Sequence, residues 1–281
     1  MKIGIIGNGF VGSAIVAGFM LAVDDILIYD KDQHKSTHTL TETVNGSDFI
    51  FVSVPTSMKN VLGGAIDLSI MDSVIKEISD CNKRKNNIVV IKSTVVPGTV
   101  EKYVELYPNL NIIFSPEFLT ERAARLDFIN TSRVILGGPP ELTGAALKLF
   151  RKRFPHTNII ETDLGTAQFI KYMANCFFSV KLSFMNEMLQ GAEALGVDWD
   201  AAVKGFITDG RIGNSHIDVP GHDGSRGFGG KCFSKDLNAF IELFQQLGID
   251  PSVMKATWKK NLEVRDNHDW AEIEGAVTVS D

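Results

Sequence analysis

Cysteine is scarce in this 281-residue chain: three residues, at positions 81, 176 and 232, form neither an even disulfide set nor a Cys-x-x-Cys pair. That argues against a disulfide scaffold and a thiolate metal site, and a reducing, cytoplasmic setting is expected. Positive charge is also short, with 28 lysines and arginines against 34 acidic residues and a net charge of −6. Such a balance offers no general attraction to phosphate backbones or anionic membranes, so neither a nucleic-acid nor a membrane partner is expected. The one basic run, Lys83-Arg84-Lys85, reads as a solvated turn. No internal repeat or low-complexity segment occurs. Hydrophobic residues make up 44% of the chain, enough for one large domain or two modest ones, each with its own core.

The longest apolar run, residues 3–23 (IGIIGNGFVGSAIVAGFMLAV), imitates a signal peptide or a membrane span. Its glycine spacing argues for something else. The first half of the chain alternates short apolar runs with helical stretches, the pattern of a parallel sheet covered by helices. Strands are expected at Lys2–Ile6, Ile26–Tyr29, Phe49–Val54, Ile88–Lys92, Asn111–Phe114, Arg133–Leu136 and Asn158–Ile160. They are nearly continuously hydrophobic, as strands buried on both faces are. Helices are expected from Asp67, as a cap, to Cys81 and from Pro140 to Arg153.

Beyond Asp163 the pattern changes. Residues 166–195 carry no proline and are apolar most of the way round, which predicts one helix of about 45 Å buried in a core or against a second subunit. Shorter helices follow at Trp199–Phe206, Lys235–Leu247 and Pro251–Arg265, and the tail GAVTVSD is expected to fray. The fold class is therefore α/β: a Rossmann-type parallel sheet over residues 1–162, then an all-helical domain built on the long helix over 163–281.

Gly7-Asn8-Gly9-Phe10-Val11-Gly12 follows the first strand and opens a helix, and Asp30 ends the second strand. That is the spacing of a dinucleotide-binding turn. The first glycine makes the turn, the second admits the pyrophosphate, the third lets helix and strand pack, and the helix N-terminus favours the anion. A carboxylate at Asp30 accepts from ribose hydroxyls and repels a 2′-phosphate, favouring NAD over NADP. Lys31 and Lys35 weaken that preference slightly.

Other residues have the types that chemistry needs. Lys171 and Asn175 lie four apart on the long helix and share a face; a lysine there is costly unless paired or functional, or else snorkels at the helix edge. Glu117 and Glu121, in SPEFLTE, sit at a strand's C-terminal end, where ligands bind in open α/β sheets, and helix capping is the alternative. Lys92-Ser93-Thr94 ends another strand on the same edge. In GFGGKCFSKD, Gly227–Asp236, glycines admit a substrate to the backbone near Cys232, and Lys231 and Lys235 are placed to lower the thiol pKa. A lone cysteine is more often a small buried hydrophobe, but a polar glycine loop suits that poorly. Cys81 and Cys176 read as structural. His216, Asp218, His222 and Asp223 match no closed zinc spacing, so no metal is expected.

Taken together, GNGFVG, KSTVVPGTV, SPEFLTE, FIKYMANCFFSVKLSFMNEM, DGRIGN and GFGGKCFSKD resemble, in kind and order, the motifs of the UDP-glucose/GDP-mannose dehydrogenase family. The resemblance implies an NAD-dependent, four-electron oxidation of a nucleotide sugar at C6 to the uronate, with UDP-glucose the leading substrate. Cys232 would be the nucleophile and Asp236 its partner in handling water or protons. Lys171 and Asn175 would stabilise the oxyanion, with Thr94 and Glu121 orienting water or acting as base. Gly7, Gly9, Phe10, Val11, Gly12, Asp30, Lys35 and Thr94 would hold the cofactor. Glu117, Phe118, Leu119, Lys171, Asn175 and Gly229 would meet the substrate. Arg211 would reach the neighbouring subunit's substrate across a homodimer built on the long helix.

Members of that family usually carry a further Rossmann-type domain that grips the nucleotide. This chain stops where the linker to it would begin, so a partner supplying that domain is a possibility the resemblance raises. The segment from Asp30 to Ser47 is shorter than usual, and SVPTS at 53–57 fits the family's Thr-Pro pattern loosely. Two rivals remain: a β-hydroxyacid dehydrogenase, which shares a Lys-x-x-x-Asn pair but performs one oxidation without a thiol, and an NAD-binding protein without turnover.

Overall fold

The structure is a computed structural model that describes residues 1–278, the side chain of Glu121 excepted. In chain order its first elements are β1 (Lys2–Ile6), α1 (Phe10–Phe19), β2 (Asp25–Tyr29), α2 (Leu40–Gly46), β3 (Phe49–Val52), β4 (Ser57–Met58), β5 (Ile66–Asp67), α3 (Ser69–Cys81) and β6 (Ile88–Ile91). There follow α4 (Thr99–Leu106), β7 (Asn111–Phe114), α5 (Ala124–Ile129), β8 (Arg133–Gly137), α6 (Pro140–Arg153) and β9 (Asn158–Thr162). The chain then becomes helical, with α7 (Leu164–Leu195), α8 (Trp199–Phe206), α9 (Cys232–Gln246) and α10 (Ser252–Val264). Two compact units result: Met1–Thr56 with Leu68–Lys171, and Ser57–Asp67 with the chain from Tyr172 onward.

The first unit is a seven-stranded sheet in the order β2-β1-β3-β6-β7-β8-β9. Alternate residues of its strands feed two cores, as the two-residue period of a strand requires. Ile3, Ile5, Phe49, Phe51, Ile88, Val90 and Ile113 face one side, around Phe19, whose ring lies 5.5–6.0 Å from those of Phe51, Phe128, Phe150 and Phe154. Ile6, Ile50, Val52, Val89, Ile91, Ile112 and Phe114 face the other, against Met71, Ile75 and Ile78 of α3. The pairings are parallel except that β8 meets β7 antiparallel, through Phe114 and Gly137. The expected all-parallel sheet is thus corrected at one seam. α5 has six residues, about 9 Å of helix, too short to carry the chain back along the sheet. It packs on α1 instead, where a Cβ on Gly18 would stand 2.3 Å from the Phe128 ring.

The second unit contains an element that periodicity does not reveal. β4 and β5 form a small antiparallel hairpin, and Val277 pairs with Met58 alongside it. The Trp258 and Trp270 indoles donate to the carbonyls of Leu62 and Val61 in the hairpin's turn, at 2.9 Å each. Residues 275–278 of the tail expected to fray are held there, the Thr278 hydroxyl donating to Asp67 at 2.6 Å. Val279–Asp281 lie outside the described residues. Asp67 accordingly belongs to β5 and does not cap α3, which begins at Ser69 behind Leu68. Arg84, in the basic turn, is half-buried and binds Asp48 at 2.9 Å and the Ser47 carbonyl at 2.8 Å.

The long helix spans 32 residues, starting two residues earlier than expected because Asp163 accepts from the Thr166 N–H at 2.7 Å and caps it. The apolar run at 3–23 is divided between β1, the glycine turn, α1 and the short turn after Phe19. No helix among the described residues is long and apolar enough to cross a membrane.

Candidate functional site

In the first unit the glycine turn has the shape the spacing requires. Gly7 has φ of 88°, and a Cβ on it would stand 2.6 Å from the Ser53 carbonyl oxygen. A Cβ on Gly12 would stand 2.0 Å from the Gly7 carbonyl oxygen, so only a glycine lets α1 leave the turn at this angle. Gly9, the N-cap of α1, would place a Cβ in open space. That opening at a helix N-terminus fits an incoming pyrophosphate. Asp30 braces the turn, taking the Asn8 N–H at 2.7 Å on one carboxylate oxygen and the Asp32 N–H at 2.9 Å on the other. Lys35 contributes through its backbone, its carbonyl accepting from the Asn8 amide at 3.0 Å, while its ammonium stands 3.7 Å from Asp32. Phe10 and Val11 form the first turn of α1, with Phe10 exposed.

The strand ends of the same unit carry the other expected residues. The Thr94 carbonyl accepts from the Thr56 hydroxyl at 3.0 Å. Glu117 is engaged: its carboxylate pairs with the buried Lys92 ammonium at 3.1 Å, and Lys92 also reaches Ser115 and the Pro116 carbonyl at 3.3 Å each. Phe118 lies under two cations, the Arg133 guanidinium at 4.2 Å and the Lys171 ammonium at 5.2 Å from its ring centre. This arrangement stabilises charge near an apolar surface. Leu119 packs against the core around Phe19. Glu121 begins a short turn over Glu121–Ala123, and its side chain lies outside the described residues.

In the second unit, α9 starts at Cys232, three residues before the expected start. That shift puts Cys232 inside the helix. Cys232 is exposed at the first turn of a 15-residue helix, where backbone N–H groups and the helix dipole favour a thiolate. Asp236 follows four residues later on the same face and is 1% exposed. Its carboxylate accepts from the Asn175 amide of α7 at 2.5 Å and pairs with Lys235. Tyr172 stacks on Phe240 at 4.9 Å between the same two helices. Burial, then the nearby Asp236 charge, pushes the Cys176 thiol far above its usual range, and burial does the same to the Tyr172 hydroxyl. The two lysines flanking Cys232 are occupied, Lys235 by Asp236 and Lys231 by the Glu274 carbonyl.

Two further expectations find their places here. Arg211 is 90% exposed and held to Asp209 at 2.9 Å, two residues away. Gly229 is backed by protein: a Cβ there would stand 2.2 Å from an Arg265 nitrogen and 2.3 Å from an Asp269 oxygen. Among the described residues no group of three or more His, Cys, Asp and Glu could hold a metal ion. Asp223 binds Arg265 at 2.7 Å, and the His216 ring stacks flat on Phe178 at 4.0 Å. The residues that sequence reasoning missed are Asn186, Asn261, Arg265 and Asp269, which hold the loop ahead of Cys232. Asn186, Asn261 and Asp269 stand 33 to 41 residues from the loop positions they bind, beyond the reach of any local pattern.

A parallel-sheet unit with an open glycine cradle, continued by a helical unit that carries an exposed cysteine one turn ahead of a buried carboxylate, defines a protein of the dinucleotide-binding class. Comparison with known proteins agrees. The NAD binding domain of the UDP-glucose/GDP-mannose dehydrogenase family matches residues 34–154, and its central domain matches residues 165–263. The chain is 30% identical to the UDP-glucose 6-dehydrogenase of Rickettsia conorii (strain ATCC VR-613 / Malish 7) over 95% of its own length and 68% of that enzyme's. A UDP-glucose dehydrogenase from the hyperthermophilic archaeon Pyrobaculum islandicum superposes with a TM-score of 0.82, 25% identity, and coverage of 93% of this chain and 68% of the other. The 3-hydroxyisobutyrate dehydrogenase of Mycobacterium tuberculosis superposes with a TM-score of 0.76 over 98% and 96%, at 16% identity, a likeness of fold alone. The chain belongs to the UDP-glucose/GDP-mannose dehydrogenase family, and NAD is its cofactor.

Proposed function

We propose that the chain oxidises a nucleotide sugar, UDP-glucose first among candidates, at C6 to the uronate through a covalent intermediate on Cys232. The observation that carries this reading is the exposed Cys232 at the head of α9, one turn before the buried Asp236 that takes the Asn175 amide. Bound NAD, held by Gly7, Gly9, Phe10, Val11, Gly12, Asp30, Lys35 and Thr94, would supply a hydride acceptor for each of two oxidations.

The protein's own groups do the rest. The Cys232 thiolate adds to the C6 aldehyde, forming the C–S bond while the carbonyl electron pair moves to oxygen. Asn175 gives one amide hydrogen to Asp236 and keeps the second for that oxygen, and Lys171, one turn away on α7, supplies a positive charge. Such donors are worth about 3 to 4 kcal/mol each in comparable sites. After the second oxidation leaves a thioester, water directed by Thr94, Glu121 and Asp236 adds to its carbon, and the thiolate departs with the C–S electron pair. Glu117, Phe118, Leu119 and Gly229 belong to the substrate side of this reading, Glu117 acting through Lys92.

The exposed apolar side chains Phe169, Met173, Phe177, Phe184 and Met188 recur along α7, which supports a homodimer on this helix, with Arg211 extended toward the partner's substrate. The cysteines, none in a disulfide, suit the cytoplasm. A panel of UDP- and GDP-sugars with NAD tests the proposed oxidation: two NADH per sugar consumed supports the thiol route. One NADH supports a single oxidation of the β-hydroxyacid type, and none on any sugar supports NAD binding without turnover.

A further inference from the structure

The loop ahead of Cys232 is held from behind at almost every residue. Arg265 donates to the Arg226 carbonyl at 3.2 Å. The Gly227 N–H donates to Asn186 at 3.0 Å. Asn261 accepts from the Phe228 N–H at 2.7 Å and donates to the Phe228 carbonyl at 3.0 Å. The Gly230 N–H donates to Asp269, 3.2 Å from either carboxylate oxygen. Gly229 makes none of these bonds but lies against the clamp itself, as its missing Cβ shows.

The same residues account for two glycines of the motif. A Cβ on Gly227 would meet Asn261 at 2.4 Å, and one on Gly229 would meet Arg265 and Asp269. These glycines are required by protein at their backs, a need separate from any approach of substrate to the loop. The clamp is also costly. Arg265 is 2% exposed and Asn261 fully buried, and a buried guanidinium is strongly unfavourable without partners. Arg265 has them, in Asp223 at 2.7 Å, Asp269 at 3.2 Å and the Asn267 carbonyl at 2.8 Å. A plain apolar contact would hold the fold as well; hydrogen bonds to four of five successive loop residues hold the backbone in one geometry.

We propose that Asn261, Arg265 and Asp269 are positioning residues that fix the Arg226–Gly230 loop and so set Cys232 at the head of α9. This rests on the thiol route above. The clamp touches no reacting atom and acts only through the loop.

The test compares the full chain with Asp269→Asn and Asn261→Ala by three readouts: thermal midpoint, kcat and KM for the sugar that the parent oxidises, and the alkylation rate of Cys232 by iodoacetamide without substrate. Misplacing a reacting group by about 1 Å costs roughly 100-fold. The expectation is therefore a kcat lowered by roughly tenfold or more with KM little changed, and alkylation near pH 7 slowed about threefold as the thiol leaves the helix terminus. Variants that melt with the parent and keep both its kcat and its alkylation rate overturn the inference. If Asn261→Ala does not fold, the isosteric Asp269→Asn decides alone. A parent that oxidises no nucleotide sugar defeats the proposed function, while the alkylation rates still judge the clamp.

Discussion

Two alanine substitutions in the same turn separate what the glycines do for the fold from what they do for the cofactor. Gly9→Ala puts a methyl group into open space, at an extended backbone (φ −82°, ψ −151°) that alanine adopts without strain. Its cost to the fold should stay within about 0.5 kcal/mol. That methyl stands where the pyrophosphate would approach, so NAD affinity should fall at least roughly tenfold, about 1.4 kcal/mol. Gly12→Ala instead drives a Cβ to 2.0 Å from the Gly7 carbonyl oxygen and 3.1 Å from Ile5. Neither the turn nor β1 can give way freely, and overpacking of this kind costs about 1 to 3 kcal/mol.

Thermal melts with and without NAD read both effects, because a ligand at about 100 times its Kd adds about 2.7 kcal/mol to stability. Gly9→Ala should melt with the parent and lose the NAD-induced rise. Gly12→Ala should melt lower by several degrees even without NAD, at about 2 to 4 °C per kcal/mol. A Gly9→Ala protein that retains the full NAD-induced rise would refute the cradle, and one that melts as low as Gly12→Ala would refute the steric argument.

Lys92→Met leaves the largely enclosed Glu117 carboxylate with the Phe118 N–H but without its cation; the loss should be at most about 3 to 5 kcal/mol, seen as a lowered thermal midpoint, and Lys92→Met with Glu117→Gln should recover most of it. Burial raises the Asp223 pKa, but the Arg265 hydrogen bond, the Ser225 N–H and the Arg265 charge outweigh it and hold the carboxyl below its usual range. Because the folded value lies below the unfolded one, about 3.9, this pair stabilises the fold at neutral pH and is lost as pH falls below about 4. Asp223→Asn should therefore be the less stable protein at neutral pH and show a shallower acid-side loss, measured by urea unfolding at several pH values; parallel pH dependences would contradict the assignment.

Much of this is legible locally. The glycine turn, Asp30, the strands and the uninterrupted apolar helix follow from spacing and period alone, and α8 falls on Trp199–Phe206 as read. The features that escape a local reading depend on distant partners. Two-residue strands such as β4 and β5 carry no period, and their hairpin is held by indoles 196 and 209 residues away. The start of α9 reads late because a glycine loop hides the turn at Cys232, and the antiparallel seam at β8 depends on the shortness of α5. In the candidate site, Cys232, Asn175 and Asp236 are marked by residue type. The Lys92 hold on Glu117 is not, since a lysine ending an apolar strand reads equally well as an exposed edge. Nor is the clamp, whose glycines look in sequence like room for a ligand.

The thiol route is tested most directly by Cys232→Ser, assayed with the parent's nucleotide sugar and NAD by uronate formed and NADH produced. A hydroxyl at the head of α9 lacks the thiolate's nucleophilicity, so uronate formation should collapse while the protein melts with the parent and still shows the NAD-induced rise. Undiminished uronate production by Cys232→Ser would contradict the account.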